Sequence, residues 1–202
     1  MPSPANLYIT KQPNVTIHAA SYVGAFDVIM GDLRHLCEYI EPTDPNLNVF
    51  SHRVYELFLR TCTEWESLCK DALVSAGYQK TPQEKMGIYD YRELESTFSL
   101  EGVEVGVLFW RPAPTYICPY QDWRSSDPPL TWYSDYNSVK HNRNVEFPRA
   151  NFDNLRLAAA ALFVLHAKLH LIPVRPGQSE RPTKAYTETV FVGQIFSIRV
   201  PK

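Results

Sequence analysis

Residues 132–143 concentrate the side chains that are best suited to chemistry: they read WYSDYNSVKHNR. On a helix, Tyr133, Asn137 and His141 would lie on one face, because they are spaced at four-residue steps. Lys140 follows Asn137 by three residues and would also be its neighbour. The sequence therefore predicts a polar face on a helix that ends in a basic cluster.

This cluster suits the cleavage of RNA without a metal ion. Histidine exchanges protons near neutral pH, so His141 is a candidate general acid or base. Lysine and arginine bind phosphate, which makes Lys140 and Arg143 candidate ligands of the scissile phosphate. Arg143 follows His141 by two residues, so it joins the same face only if the helix ends near His141. The alternative is a structural cluster that caps a helix and forms ion pairs.

A second polar row lies on a helix predicted over residues 51–76, which Gly77 would terminate. Its members Arg53, Glu56, Arg60 and Glu64 follow one another at steps of three, four and four residues. The row is either a solvent-exposed stripe of helical ion pairs or a polar seam that faces a site.

The sequence predicts no bound metal and no cofactor. His166 and His170 have the four-residue spacing of two ligands on a helix, but Ala167 stands where a zinc protease motif has glutamate. The glycine-rich phosphate loops, the nucleophile elbow of serine hydrolases and the calcium loop are also missing from the sequence.

The hydrophobic pattern predicts an α+β protein that is mainly α, with a four-helix bundle and a small antiparallel sheet. The helices are expected over residues 21–40, 51–76, 130–141 and 151–171. A hairpin is expected to pair residues 96–100 with 103–110, and a further strand, which could pair with this hairpin, is expected at 189–200. The predicted organisation is an extended segment at 1–19 and one domain at 20–202, with the hairpin and a proline-rich insertion at about 88–129.

Aromatic residues crowd the proline-rich insertion and the helix after it. They either stack on nucleic-acid bases or pack the insertion against the core. The residues are Tyr116, Tyr120, Trp123, Trp132, Tyr133 and Tyr136.

Composition argues for a soluble cytoplasmic protein. The chain has 202 residues and a formal net charge of −2, which disfavours a globally basic nucleic-acid binder. The four cysteines lack paired metal-binding spacing and are interpreted as reduced core residues. No secretion signal is predicted, because the N-terminus has no charged segment followed by an apolar one. No membrane span is predicted either, because the longest apolar run, Leu157–Leu165, is far shorter than the roughly 20 residues a span needs.

Two segments resemble the HEPN superfamily: Tyr136-Asn137-x-x-Lys140-His141-x-Arg143, and residues 41–66 with their Ser-His-Arg and Cys-Thr-Glu-Trp-Glu elements. The resemblance covers about residues 20–172. It implies a helical bundle, dimerisation and metal-independent ribonuclease activity in prokaryotic toxin–antitoxin or phage-defence systems. It also implies RNA, a second copy and an antitoxin or other protein as partners.

The catalytic signature of that superfamily is an arginine with a histidine four to six residues later. Here Asn137 stands nearest the arginine position, so only His141 carries over. The arginine role passes to Arg143 or Arg53, or is absent. The expected function is a metal-independent endoribonuclease, in which Asn137 orients the histidine or the substrate. Support is expected from Tyr133 and from Arg53, Glu56 and Glu64. The alternative is a catalytically inactive helical module that binds a protein or RNA partner.

Overall fold

The computed structural model describes residues 19–80, 85–125, 129–169, 171, 175–176, 186–192 and 195–201. The helices within them are α1 (Ala19–Leu36), α2 (His52–Ser75), α3 (Ile88–Tyr91), α4 (Leu94–Phe98), α5 (Thr131–His141), α6 (Arg143–Glu146) and α7 (Phe152–Lys168). The strands are β1 (Glu104–Val107), β2 (Thr115–Ile117), β3 (Arg175–Pro176), β4 (Tyr186–Val192) and β5 (Phe196–Pro201).

Local chemistry sets both ends of α2. The Ser51 side chain accepts a hydrogen bond from the Val54 backbone N–H at 3.2 Å, which caps the N-terminus. Gly77, just beyond the last turn, has a φ of +88°, a conformation that favours glycine. The predicted boundaries of this helix are confirmed to within one residue.

The longer helices form the main core. α2 packs against α1, α5 and α7, and α7 also contacts α1 and α5. Residues 158–161 of α7 are four consecutive alanines, all fully buried, so α7 is covered on every side as its composition predicts. The helices expected at 21–40 and 151–171 end earlier, at Leu36 and Lys168, and the chain continues in turns.

The strands form one antiparallel sheet in the order β2-β1-β5-β4-β3. Val105 of β1 is paired with Ile117 of β2 on one side and with Ile198 of β5 on the other. The sheet packs on α7, where the rings of Phe163 and Phe196 lie 5.4 Å apart. A mainly helical chain with a small antiparallel sheet confirms the predicted α+β class.

Two strand predictions are wrong in detail. Residues 96–98 are helical, as the end of α4, so they do not pair with β1. The partner of β1 within the insertion is β2, and the strand predicted at 103–110 is shortened to four residues. The single strand expected at 189–200 is divided between β4 and β5, which pair with each other. Alternation identifies the strand residues but not their partners, because the sheet joins segments distant in sequence.

The extended segment expected at 1–19 lies outside the described residues except for Ala19, which is the first residue of α1 and not extended, and parts of the C-terminal region also lie outside them. The described helices include none with the length and apolar character that a membrane crossing requires. All four cysteines are free thiols, and burial raises the pKa of Cys62 and Cys69 well above the usual value.

Candidate functional site

The residues of the predicted cluster fall into two groups, one on the interior side of α5 and one exposed to solvent. Tyr133 is buried and Asn137 is half-buried, and both face the interior side of α5. The amide of Asn137 donates to the Tyr133 backbone carbonyl at 3.2 Å, one turn back on the same helix. His141 and Arg143 are exposed at the end of α5 and the start of α6. α5 ends at His141, which is the condition under which Arg143 was expected to join the same face.

The interior group is organised by Glu66 of α2. Its two carboxylate oxygens accept hydrogen bonds from the Tyr133 hydroxyl at 2.5 Å and from the Tyr136 hydroxyl at 3.2 Å. Lys140 Nζ donates to the Tyr136 hydroxyl at 3.1 Å and lies 3.8 Å from Glu66. The Glu66 side chain is only 14% exposed. Tyr133, Tyr136 and Lys140 therefore tie α5 to α2.

The electrostatics of this group favour a structural role. Burial, followed by the hydrogen bond to Glu66, raises the pKa of Tyr133, so its hydroxyl stays protonated and donating. Burial acts to lower the pKa of Lys140, but the Tyr136 hydrogen bond and the Glu66 charge outweigh it and raise that pKa. The ammonium group of Lys140 is thus held by protein groups, although its side chain is 45% exposed. Phosphate binding by Lys140 stays a prediction.

The exposed group is organised by Arg143. Its Nη2 lies 3.3 Å from Nδ1 of His52, the first residue of α2. A guanidinium group has only donors, so His52 accepts through Nδ1 and, when neutral, carries its hydrogen on Nε2. The Arg143 guanidinium also lies over the rings of Tyr55 and Phe147, 5.1 and 5.7 Å from their centroids. This contact joins the end of α5 to the beginning of α2.

His141 itself is exposed, and the described residues provide it with no hydrogen bond or ion pair. Its imidazole is therefore available to solvent and to a ligand. The catalytic role of His141 stays a prediction.

Three members of the polar row of α2, Arg53, Glu56 and Arg60, line a groove between α1 and α2. Arg53 and Glu56 form an exposed ion pair at 3.1 Å, and Arg60 pairs with Asp32 of α1. The groove has a volume of about 800 Å³ and separates the second half of α1 from the first half of α2. Glu64 does not line it. The observed contacts agree with the first interpretation, ion pairs within the helix, only for Arg53 and Glu56, because Arg60 pairs with a residue of α1.

His166 is a core residue of α7. Its ring is 1% exposed, stacks on Phe26 with centroids 4.4 Å apart, and has a carbonyl oxygen within hydrogen-bond distance of each nitrogen. Burial lowers its pKa. His170 lies outside the described residues. Within the parts of the chain that the structure covers, no cluster of histidine, cysteine, aspartate or glutamate is arranged to hold a metal ion.

Most of the aromatic residues of the insertion and of α5 pack into the core and do not present their ring faces to solvent. Five are buried: Tyr120, Trp123, Trp132, Tyr133 and Tyr136. Trp65 of α2 is at their centre, and its indole N–H donates to the Tyr120 hydroxyl at 2.8 Å. Base stacking by these five rings is therefore excluded, and packing of the insertion is the correct interpretation.

Three residues to which the sequence assigned no role complete the geometry: Glu66, His52 and Phe147. Glu66 and His52 lie within the segment 41–66 noted above for its resemblance, and Phe147 does not. Glu66 could have been found as a carboxylate between the apolar positions Trp65 and Leu68, since such a carboxylate needs partners once buried. His52 and Phe147 carry no such signal, because only the packing of α2 against the α5–α7 connection brings them together.

Comparison of the chain with protein-family models, with curated proteins and with solved structures gives no match. Arg143, with His52 and the rings of Tyr55 and Phe147 around it, can bind a phosphate without a metal. The exposed imidazole of His141, two residues before Arg143, can exchange protons with solvent or a ligand.

Proposed function

We propose that the chain is a HEPN-like, RNA-directed protein that cleaves RNA without a metal ion. The observation that supports this most directly is the contact of Arg143 with His52, since Arg143 follows the exposed His141 by only two residues in the chain. In this proposal the four longest helices form the bundle, and the sheet is an addition to it. The protein acts in the cytoplasm in a toxin–antitoxin or phage-defence system, with a second copy and an antitoxin as candidate partners.

In the proposed reaction the 2′-oxygen of a nucleotide loses its proton and bonds to the adjacent phosphorus, while the bond from that phosphorus to the 5′-oxygen of the next nucleotide breaks. The leaving oxygen takes up a proton, so the products are a 2′,3′-cyclic phosphate and a 5′-hydroxyl. Arg143 binds the phosphate and offsets the charge that develops on it, because its guanidinium presents several donors toward solvent. His141 exchanges the proton of the attacking or leaving oxygen. Lys140 is less suitable for the phosphate, since its ammonium group already donates to Tyr136. Arg53 is also less suitable, because it is paired with Glu56.

The test is cleavage of a cellular RNA pool by purified protein in EDTA. His141→Ala is expected to lower the cleavage rate by at least about 100-fold, the usual contribution of a general acid or base. The thermal midpoint should stay unchanged, because His141 is exposed. His35→Ala is the matched control, since that histidine is 64% exposed and lies in α1.

Equal cleavage by wild type and His141→Ala would overturn the role of His141. The absence of cleavage in the wild type would favour the second candidate, a catalytically inactive module that binds a protein or RNA partner. The groove between α1 and α2 supports that candidate, because it combines apolar residues such as Leu36 and Leu57 with charged ones.

A further inference from the structure

Four aromatic side chains meet where α2 begins, and we call them the aromatic patch: Phe50, His52, Tyr55 and Phe147. Phe147 is at the centre, with ring centroids 5.7, 5.0 and 5.5 Å from those of Phe50, His52 and Tyr55. The patch is open to solvent on one side, because Phe50 is 46% exposed and His52 is exposed. Surface rings of this kind offer a planar ligand a face or an edge to stack against.

Arg143 adds a cation to the aromatic patch. Its guanidinium lies over Tyr55 and Phe147 and uses one hydrogen bond on His52, so most of its five donors are left for a ligand. Stacking on the two rings limits the conformations of the long side chain, which lowers the entropic cost of holding an anion.

The charges around Arg143 leave it without a carboxylate. Glu146, in the same short helix, forms an ion pair with Arg149, and Glu56 pairs with Arg53. Within the described parts of the chain, no carboxylate lies within ion-pair distance of Arg143. The chain carries a net charge of −2, but this position presents a local positive charge that is complementary to an anion.

A planar ring beside a phosphate is the chemistry of one nucleotide. Only an unpaired base can leave its neighbours and stack on a side chain, so the combination favours a single strand over a duplex. We propose that the aromatic patch and Arg143 form a subsite for one unpaired nucleotide of single-stranded RNA, with the base on Phe50 and His52 and the phosphate on Arg143. This rests on the proposed function, in which RNA is the substrate.

The test measures binding apart from cleavage. The probe is a fluorescent single-stranded 2′-O-methyl oligoadenylate of about ten nucleotides, a length within the range of single-strand sites. It lacks the attacking hydroxyl, so it cannot be cleaved by the proposed reaction. Fluorescence anisotropy is measured in EDTA for the single strand and for the same strand paired with its complement.

Phe50→Ala is expected to weaken binding about tenfold, a typical effect of losing one stacking ring. Arg143→Ala is expected to weaken it similarly and to reduce the slope of log affinity against log salt by about 0.7, the value for one phosphate contact on a single strand. Tyr89→Ala and Arg34→Ala are the matched controls, because both residues are exposed outside the subsite. They should stay within about twofold of wild type.

The subsite would be overturned if the wild type did not bind the probe, if Phe50→Ala bound as tightly as wild type, or if the duplex bound as well as the single strand. Binding of a phosphotyrosine peptide without binding of the probe would also overturn it. Probe binding that depends on Phe50 and Arg143 in a protein that cleaves no RNA would support the subsite and contradict the ribonuclease proposal. If the wild type cleaved RNA but neither Phe50→Ala nor Arg143→Ala altered probe binding, the result would support the ribonuclease proposal and contradict the subsite.

Discussion

A single carboxylate, Glu66, accounts for how two residues of the predicted polar face, Tyr133 and Lys140, are used. Tyr133 and Tyr136 donate to it, and Lys140 donates to Tyr136. A carboxylate buried to this extent needs such partners, because removing a charge from water is costly unless it is hydrogen-bonded. The side-chain types that suggested catalysis therefore also suit the attachment of α5 to α2.

Glu66→Gln is expected to destabilise the fold by about 1–3 kcal/mol. The neutral amide has one acceptor oxygen in place of two, so the hydroxyls of Tyr133 and Tyr136 cannot both keep their partner. Chemical denaturation measures the free energy of unfolding. Glu38→Gln is the control, since Glu38 is 67% exposed, and it should change that free energy by less than about 0.5 kcal/mol. An equal effect of the two substitutions would contradict the structural role of Glu66.

The connection between α5 and α7 directs Arg143 toward α2. The chain leaves the α5 direction at Asn142, whose φ of −140° is not helical, and α6 starts at the next residue. Asp135 of α5 fixes the far end of the connection, because it accepts from Asn154 at 2.8 Å and from Arg149 at 2.6 Å. Asn154 also donates to the Arg149 backbone carbonyl at 2.8 Å. The position of Arg143 thus depends on polar contacts made between elements.

Asn154→Ala is expected to destabilise the protein by about 1–3 kcal/mol, because Asn154 is only 6% exposed and its loss leaves acceptors on Asp135 and Arg149 without this donor. Thermal unfolding followed by circular dichroism measures the effect. Asn144→Ala, at an exposed position in the same connection, should leave the midpoint unchanged. A midpoint for Asn154→Ala equal to that of Asn144→Ala would show that the junction does not stabilise the fold.

His166 connects the core of α7 to α1. Its ring stacks on Phe26, and its nitrogens lie 2.9 Å from the Leu162 carbonyl and 3.3 Å from the Tyr22 carbonyl. Burial lowers its pKa, with the two carbonyls and the charge of Asp27 acting in the opposite direction. The folded core therefore favours the neutral imidazole.

Stability is expected to fall when the pH falls through the unfolded-state pKa of histidine, about 6.5. Below that value the unfolded chain binds a proton at His166 that the folded chain resists, so acid favours unfolding by up to about 1.4 kcal/mol per pH unit. The measurement is the free energy of unfolding between about pH 7.5 and about pH 5.5, for wild type and for His166→Gln. The variant should lose less stability on acidification. Parallel curves would contradict a depressed pKa at His166.

The local pattern determined most of the helical elements. Ser51 and Gly77 mark the two ends of α2, and the run of alanines and leucines predicts a buried α7. Both signals can be recognised from the sequence because they depend only on residues close together in the chain. The alternation at residues 103–109 identified a strand for the same reason. Neither its pairing with β5 nor the helical state of residues 96–98 follows from local pattern.

The candidate site was determined only in part. The sequence placed His141 and Arg143 together at a helix end, and that arrangement depends on local spacing. Tertiary packing decided that Lys140 faces Glu66 and that Arg143 reaches His52, since these partners lie 74 and 91 residues away along the chain. Helical periodicity assigns residues to a face of their own helix. What that face meets depends on how the helices cross, and no residue on the helix carries that information by itself.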